Sequence, residues 1–304
     1  MLLDEAVDQL VWRASGTYVD GTFGGGGHTR EILARHPGNR VIAFDRDLDA
    51  IERGRELAAE VGTHRLSIIH GSFASMADAL DQLGVENVDG VLLDLGMSSH
   101  QLDSADRGFA FRYEGLLDMR FDQSSGQTVA ELIASADESE LADLIWRYGE
   151  ERRSRQIARA IVTEREKSPI ETTTRLAGIV SRVVGRGKSG VHPATRTFQA
   201  LRIAVNEEFD ALEMALVASV SRMVVGGRLV VIAFHSLEDR IVKQFIARES
   251  ATCICPPEQV ICTCNTTPRL RRLGSSRKPS ADEKAANPRS RSAVMRVAER
   301  VAEV

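Results

Sequence analysis

Tyr18-Val-Asp-Gly-Thr-Phe-Gly-Gly-Gly-Gly-His-Thr-Arg-Glu-Ile-Leu33 holds four consecutive glycines, Gly24 to Gly27, shortly after the acid Asp20. Thr17–Asp20 is a short β-prone run, and a helical pattern follows through Ile32 and Leu33. A glycine-rich turn between a strand and a helix brings bare backbone N–H groups up to a ligand at the helix N-terminus. The pattern recurs outward from there. Val41-Ile-Ala-Phe-Asp45, Leu66-Ser-Ile-Ile-His70 and Val88-Asp-Gly-Val-Leu-Leu-Asp94 read as buried strands, two of them ending in an acid, and Leu48 to about Val61 reads as a helix. Strands alternating with helices at this spacing predict a parallel sheet with helices on both faces.

Arg228-Leu-Val-Val-Ile-Ala-Phe234 is a fifth strand of the same kind, more than 130 positions beyond the fourth. Ordinary connections are far shorter. The stretches 129–148, 152–166, 173–184 and 195–216 between them carry helical periodicity and no strong strand. The expected architecture is therefore α/β, a Rossmann-like sheet with an inserted all-α domain. Residues 1–105 and 207–304 would form the sheet domain and 106–206 the insertion. Residues 292–298 alternate well enough for a late strand at the sheet edge, and 269–291, rich in Arg, Ser and Pro, read as a loop.

With 304 residues and 43% hydrophobic content, the chain can bury one large core or one core and a smaller second. No apolar run approaches the ~18 residues a membrane span needs. The opening MLLDEAVDQLVWRAS has acids where a secretory signal carries basic residues, so a soluble, cytoplasmic protein is expected. The formal net charge of -4 is unevenly spread. Residues 147–202 hold 13 Lys/Arg against 5 Asp/Glu, and 269–296 hold 9 against 2. Two basic regions on an acidic whole suggest an anionic partner gripped locally, although Arg–Glu pairing on solvated helix faces gives the same composition.

Three ligand classes use such a glycine turn. A phosphate loop needs G-x-x-x-x-G-K-[ST]; the only Gly-Lys-Ser, Gly187-Lys188-Ser189, has Arg182 at the leading position. The dinucleotide pattern G-x-G-x-x-G fails at Thr29 when begun at Gly24 and at Phe23 when begun at Gly21. S-adenosylmethionine enzymes use an acid followed by looser glycines, as in Asp20-Gly21-Thr-Phe-Gly24-Gly-Gly26. The glycine N–H groups and the positive helix end can receive the cofactor's carboxylate, and Asp20 its amine or sulfonium. Asp45, 21 positions after Gly24, stands where an acid accepts hydrogen bonds from ribose hydroxyls. Phe73 is placed to cover one face of the adenine, and Asp94 points into the same cleft from the end of the fourth strand. A nicotinamide-dependent oxidoreductase is a rival that the failed dinucleotide pattern disfavours.

Cys253, Cys255, Cys262 and Cys264 lie within twelve positions. Four such thiols could make an all-thiolate zinc site, but Cys-x-Cys is tighter than the usual C-x2-4-C spacing, and the favoured reading is a loop of reduced thiols with no metal.

The chain resembles the RsmH (MraW) family of ribosomal-RNA small-subunit methyltransferases. The resemblance rests on Asp20-Gly-Thr-Phe-Gly-Gly-Gly-Gly-His28, Phe44-Asp-Arg-Asp47, Leu92-Leu-Asp-Leu-Gly-Met-Ser-Ser-His-Gln-Leu-Asp103, Arg107-Gly-Phe-Ala-Phe-Arg112, Leu117-Asp-Met-Arg120, His192-Pro-Ala-Thr-Arg-Thr-Phe-Gln-Ala-Leu-Arg202, Phe234-His-Ser-Leu-Glu-Asp-Arg240 and Asn287-Pro-Arg-Ser-Arg-Ser-Ala293, in family order across nearly the whole chain. It implies N4-methylation of one cytidine in the decoding region of 16S rRNA, with S-adenosylmethionine as donor and the small ribosomal subunit as partner. Neither membrane nor DNA is an expected partner. It also implies cofactor contacts at Gly26, Gly27, His28, Asp45, Phe73, Asp94 and Gln101. The chain departs from many relatives in having glycine at position 25, and the cysteine cluster occurs only in some of them.

A cytosine N4 amine is a poor nucleophile because its lone pair is delocalised, so catalysis needs a proton acceptor and in-line placement of the methyl carbon. The fourth strand runs into Asp94-Leu-Gly-Met-Ser-Ser99, with no Asn/Asp-Pro-Pro-aromatic loop. Asp94 is the first candidate acceptor, contact with cofactor being its alternative role. Ser98, Ser99 and Asp118 are further candidates, as is His235 just past the fifth strand. Phe109 and Phe111 are candidates to stack on a flipped base, anchoring of the insertion to the core being the alternative. Arg196 and Arg202, with Arg269, Arg271, Arg272, Arg289 and Arg291, are candidates for phosphate contacts. A methyltransferase of the same fold acting on protein or DNA, and a non-catalytic assembly factor that keeps the cofactor site, are the other rivals.

Overall fold

The computed structural model describes residues 1–185, 192–256, 259, 261 and 263–302, and of Ser99 the backbone alone. Gly187-Lys188-Ser189 and Cys262 lie outside the described residues. The chain divides into two compact units, one of Met1–Gly96 with Phe209–Val304 and the other of Met97–Glu208.

In the first unit the chain order is α1 (Leu3–Leu10), β1 (Thr17–Asp20), α2 (Gly27–Arg35), β2 (Arg40–Asp45), α3 (Leu48–Val61), β3 (Leu66–His70), α4 (Met76–Gln82) and β4 (Val88–Asp94). The second unit holds α5 (Ser99–Asp103), α6 (Val129–Ser135), α7 (Glu138–Gly149), α8 (Ser154–Arg165), α9 (Thr173–Val184) and α10 (Thr195–Asn206). The first unit then resumes with α11 (Glu208–Arg222), β5 (Met223–Ala233), α12 (Ser236–Glu249), β6 (Leu270–Arg272), α13 (Ala281–Ala286) and β7 (Val294–Arg300).

Among the described residues the sheet has the order β3-β2-β1-β4-β5-β7-β6. The strands from β3 through β5 pair in parallel, and β7 runs antiparallel between β5 and β6. The central strands are buried on both faces, so they read as continuous apolar runs. Alternate side chains part into two cores. Val19, Ile42, Leu93 and Val231 face α4, α11 and α12, and Tyr18, Val41, Leu92 and Val230 face α1, α2 and α3. The strand order reverses between β1 and β4. In open α/β sheets, ligands bind beyond the carboxyl ends of the strands at such a point.

Two expectations need correction. Residues 292–298 were expected at the sheet edge, but β7 lies inside it, with β6 outermost. The segment read as a loop contains β6 and α13. β6 is three residues long, and two of them are exposed arginines. It is too short for an alternating pattern to register, and a short charged strand is what an open sheet edge tolerates.

The second unit is helical with its own core, built on Leu117, Ile133, Leu141, Ile145, Ile157, Leu176 and Leu201 among others. The stretch 195–216, read as one helix, is broken where Glu207 takes φ 50° in the left-handed region. The Asn206 side chain fixes that corner from within the second unit. It accepts the Phe121 N–H at 2.7 Å and donates to the Met119 carbonyl at 2.7 Å. Among the described residues no helix is long and apolar enough to cross a membrane.

Candidate active site

The glycine run is a rigid cradle. Gly24 and Gly26 both have positive φ, 53° and 75°, and a Cβ on Gly26 would lie 2.7 Å from the Phe23 ring. A Cβ on Gly25 or Gly27 would meet nothing within 4 Å, so here the missing side chains leave open space over the backbone. Gly27 begins α2, whose first-turn N–H groups have no partners within the helix, and that turn carries no acid. Two neighbouring strands tie the turn down: Gly21 N–H donates to the Leu92 carbonyl and Phe23 N–H to the Phe44 carbonyl, both at 2.9 Å.

Asp20 lies beneath the cradle rather than in it. Fully buried, it accepts from Thr29 Oγ1 at 2.7 Å and from Thr22 N–H at 3.1 Å. Burial pushes its carboxyl up to about 6. The expectation that Asp20 faces the cofactor's amine is therefore corrected: its two oxygens hold the turn together. Asp45 accepts the Gly24 N–H at 2.7 Å through Oδ2 and the Asp47 N–H at 2.8 Å through Oδ1. Burial raises its pKa, against those backbone hydrogen bonds.

Asp94 is placed differently. Its backbone N–H donates to Thr22 Oγ1 at 2.7 Å, but its buried Oδ1 has no hydrogen-bond partner among the described residues. Burial pushes the carboxyl up to about 7; the amino terminus works against this, and Asp20 and Glu238 add to it. His28 Nδ1 stands 3.6 Å from Asp94 Oδ2. Burial and the nearby amino terminus bring the imidazole down to about 4, so at neutral pH it is uncharged. Phe73 begins a short 3-10 turn just after β3 and packs half-buried on the core, its Cβ 3.1 Å from where a Gly21 side chain would begin.

Four residues of this site carry no role in the sequence reading. Thr22 and Thr29 bind the acids, Phe23 fills the space under Gly26, and Arg53 donates to the Gly24 carbonyl at 3.4 Å. The hydroxyls flanking the glycines, within hydrogen-bond reach of a strand-end acid, were the available signal for the first two.

His235 caps α12 in a reciprocal capping box, its Nδ1 accepting the Glu238 N–H at 3.4 Å. Its Nε2 stands 3.0 Å from Glu238 Oε1 but, like Asp94 Oδ1, is buried with no hydrogen-bond partner among the described residues. The buried Glu238 also accepts the Phe234 N–H at 2.8 Å.

In the second unit, Ser98 caps α5, its Oγ accepting the Gln101 N–H at 3.3 Å while Gln101 Oε1 accepts the Ser98 N–H at 3.0 Å. The candidate hydroxyl and the candidate cofactor amide are thus partners in a helix cap. The side chain of Ser99 lies outside the described residues. Asp118 is bound by Arg120, at 2.8 Å to Nε and 2.9 Å to Nη2. Burial raises its pKa, but the Arg120 guanidinium and N–H outweigh that and hold it below the usual range, which makes it a weak acceptor.

Phe109 is buried against Phe121, ring centroids 5.6 Å apart, so it belongs to the core of its unit and not to a base-stacking surface. Phe111 is half-buried, stacked on His192 at 4.4 Å and edge-on to Phe198 at 5.1 Å. Arg202 is buried and bidentate to Glu208 at 2.7 and 2.8 Å, which removes it from the phosphate candidates. Arg271 is exposed but paired with Glu299 at 2.5 Å, and Arg269 is paired with Glu249. Arg196, Arg272, Arg289 and Arg291 are exposed; Arg196 donates to the Glu150 carbonyl at 3.2 Å.

The open space over Gly25 and Gly27 and the first-turn N–H groups of α2 fit S-adenosylmethionine. A doubly wound sheet closed by one reversed strand, with such a cradle at its switch point, defines a Rossmann-like, S-adenosylmethionine-dependent methyltransferase. The chain belongs to the MraW methylase family, whose description matches residues 1–301. It is 53% identical over 307 residues to a ribosomal RNA small subunit methyltransferase H from Burkholderia vietnamiensis, covering 99% of this chain and 96% of that one. It is 52% identical over 304 residues to the protein of the same name from Thermomicrobium roseum, covering 99% and 93%. A solved structure of a putative rRNA-methylase from Clostridium thermocellum aligns over 99% of this chain and 94% of that one, with 12% identity and a TM-score of 0.43.

Proposed function

We infer that this chain methylates the exocyclic N4 amine of a cytidine in the decoding region of small-subunit rRNA, in the cytoplasm. The observation that carries the reading is the family match across residues 1–301, together with relatives above 50% identity that are named for small-subunit rRNA methylation.

When bound, S-adenosylmethionine supplies an electrophilic methyl carbon on a sulfonium. The N–H groups of Gly27 and the first turn of α2 would receive its carboxylate, with Gly26, whose own N–H donates to the Phe23 carbonyl at 2.7 Å, lining the cradle; Asp45 would receive its ribose hydroxyls and Phe73 one face of its adenine. Asp94 does the chemical work: its Oδ1 accepts the proton that the N4 amine sheds as the nitrogen gains its methyl group. A carboxyl raised to about 7 suits this task, because an acceptor works best when its pKa lies near the operating pH. The uncharged His28 beside it adds no positive charge that would lower Asp94's basicity. Arg196, Arg289 and Arg291 are the exposed cations proposed to meet RNA phosphates; DNA is not proposed as a substrate.

The test is methyl transfer from labelled S-adenosylmethionine to small subunits that lack the modification, followed by digestion to nucleosides and mass spectrometry. N4-methylcytidine is the expected product. Cofactor binding without transfer to subunits, naked rRNA, DNA or protein would point instead to an assembly factor.

A further inference from the structure

Cys253, Cys255 and Cys264 lie in the segment joining α12 to β6, well away in sequence from the glycine cradle. Their tight spacing argued against a metal in the sequence, yet folding brings the three sulfurs together. All three Sγ atoms lie within 4.8 Å of one another, and Cys253 Sγ is 3.8 Å from Cys264 Sγ. Two thiolates about 2.3 Å from a tetrahedral zinc ion stand roughly 3.8 Å apart. A disulfide needs about 2.05 Å, and these three cysteines form none.

The backbone is turned toward the sulfurs. Ile254 N–H donates to Cys264 Sγ and Cys255 N–H to Cys253 Sγ, each at 3.4 Å. Hydrogen bonds to sulfur favour the thiolate, the form that ligates metal. The arrangement also inverts the usual logic of burial. Ile254 is 65% and Ile261 75% exposed, while Cys255 and Cys264 are half-buried. Among its described residues the segment has no apolar core to order it. Its base is closed by Arg269, which donates its N–H to the Glu249 carbonyl at 2.9 Å and its Nε to the Glu249 carboxylate at 2.6 Å. Small elements without a core are commonly held by a structural metal.

We propose that Cys253, Cys255 and Cys264 bind a thiophilic divalent cation, zinc, that clamps the far end of this segment. Each thiol gives up its proton to solvent as its sulfur binds. Three thiolates leave the fourth tetrahedral position to another donor such as water. The clamp is structural and takes no part in methyl transfer.

The full chain, without a histidine tag and purified without chelator under reducing conditions, is expected to carry about one zinc per chain by elemental analysis. Replacing zinc with cobalt(II) should produce thiolate-to-cobalt charge-transfer bands in the near ultraviolet and intense tetrahedral visible bands. Cys253→Ser and Cys264→Ser should lower the metal content to background and speed proteolysis within residues 250–268, with S-adenosylmethionine affinity unchanged. Three results would overturn the proposal: wild-type chain that neither carries zinc nor takes up zinc or cobalt(II), metal that persists in the double variant, or an intact mass showing a disulfide in place of metal.

Discussion

The ends of β2 and β4 look alike in sequence, each an apolar run closed by an aspartate, and differ in the fold. Both oxygens of Asp45 are taken up by backbone N–H groups, while Asp94 keeps a buried oxygen with no hydrogen-bond partner among the described residues. The difference follows from what the strands run into. β2 lies beside the glycine turn, whose exposed N–H groups need acceptors. β4 leads into Leu95-Gly96-Met97 and offers its carboxylate no such donor, only its own N–H to Thr22. Asp45 is thereby fixed in place with one lone pair left on each oxygen, whereas Asp94 Oδ1, a buried strand-end oxygen that the fold leaves without a donor, is a candidate for chemistry.

Asp94→Asn should break this contrast most sharply. Methyl transfer is expected to fall by about 10²–10⁴ in single-turnover rate, with S-adenosylmethionine affinity by calorimetry changed less than tenfold. A tenfold or smaller loss of rate would return Asp94 to the satisfied class.

Arg202→Ala and Arg196→Gln separate the arginines in the same way. Arg202 is a buried partner of Glu208, and its removal should cost about 3–5 kcal/mol in denaturant unfolding. Arg196→Gln should leave stability near wild type and lower the salt slope of rRNA binding by about one. Equal salt slopes for wild type and Arg196→Gln would remove Arg196 from the RNA contacts.

The cradle is expected to respond position by position. Gly26→Ala must hold a Cβ at positive φ against the Phe23 ring, costing on the order of 2 kcal/mol in stability with weaker cofactor binding. Gly25→Ala enters open space and should leave stability nearly unchanged. Thermal melts with and without cofactor distinguish the two.

A pH-dependent effect is expected at Asp20. Its folded-state pKa is raised from 3.8 to about 6, so the stability it contributes is present below about pH 4 and lost as pH rises through 6. Asp20→Asn, still able to pair with Thr22 and Thr29, should therefore melt higher than wild type at pH 8 and level with it near pH 4. A variant that melts lower at pH 8 would mean the charge itself holds the turn.

The first five strands were legible as short β-prone runs between turn signals, β2, β4 and β5 as apolar runs, although β5 begins at Met223 rather than Arg228, and the boundaries of α9 match the helical stretch 173–184. β6 was not, since three residues with two arginines carry no period. The corner at Glu207 was hidden because helical periodicity runs on either side of it, and the break depends on Asn206 reaching Met119 and Phe121, some 85 positions away in the chain. Within the site, residue types marked the right strand ends but did not tell a satisfied carboxylate from an unsatisfied one. His235, Ser98 and Asp118 all read as reactive groups, and in the fold each is bound to a neighbour within three positions. Local partners of that kind are invisible to a reading that looks for types and spacing alone.

The most direct measurement is the single-turnover rate of methyl transfer to unmodified small subunits across pH 5 to 9, for wild type and Asp94→Asn at saturating cofactor. With Asp94 as acceptor, the wild-type rate climbs with pH and levels off above about 7, where the carboxylate is formed. The variant should be slow and lack that limb. A wild-type limb that persists unchanged in Asp94→Asn would contradict the account and place the proton acceptor elsewhere.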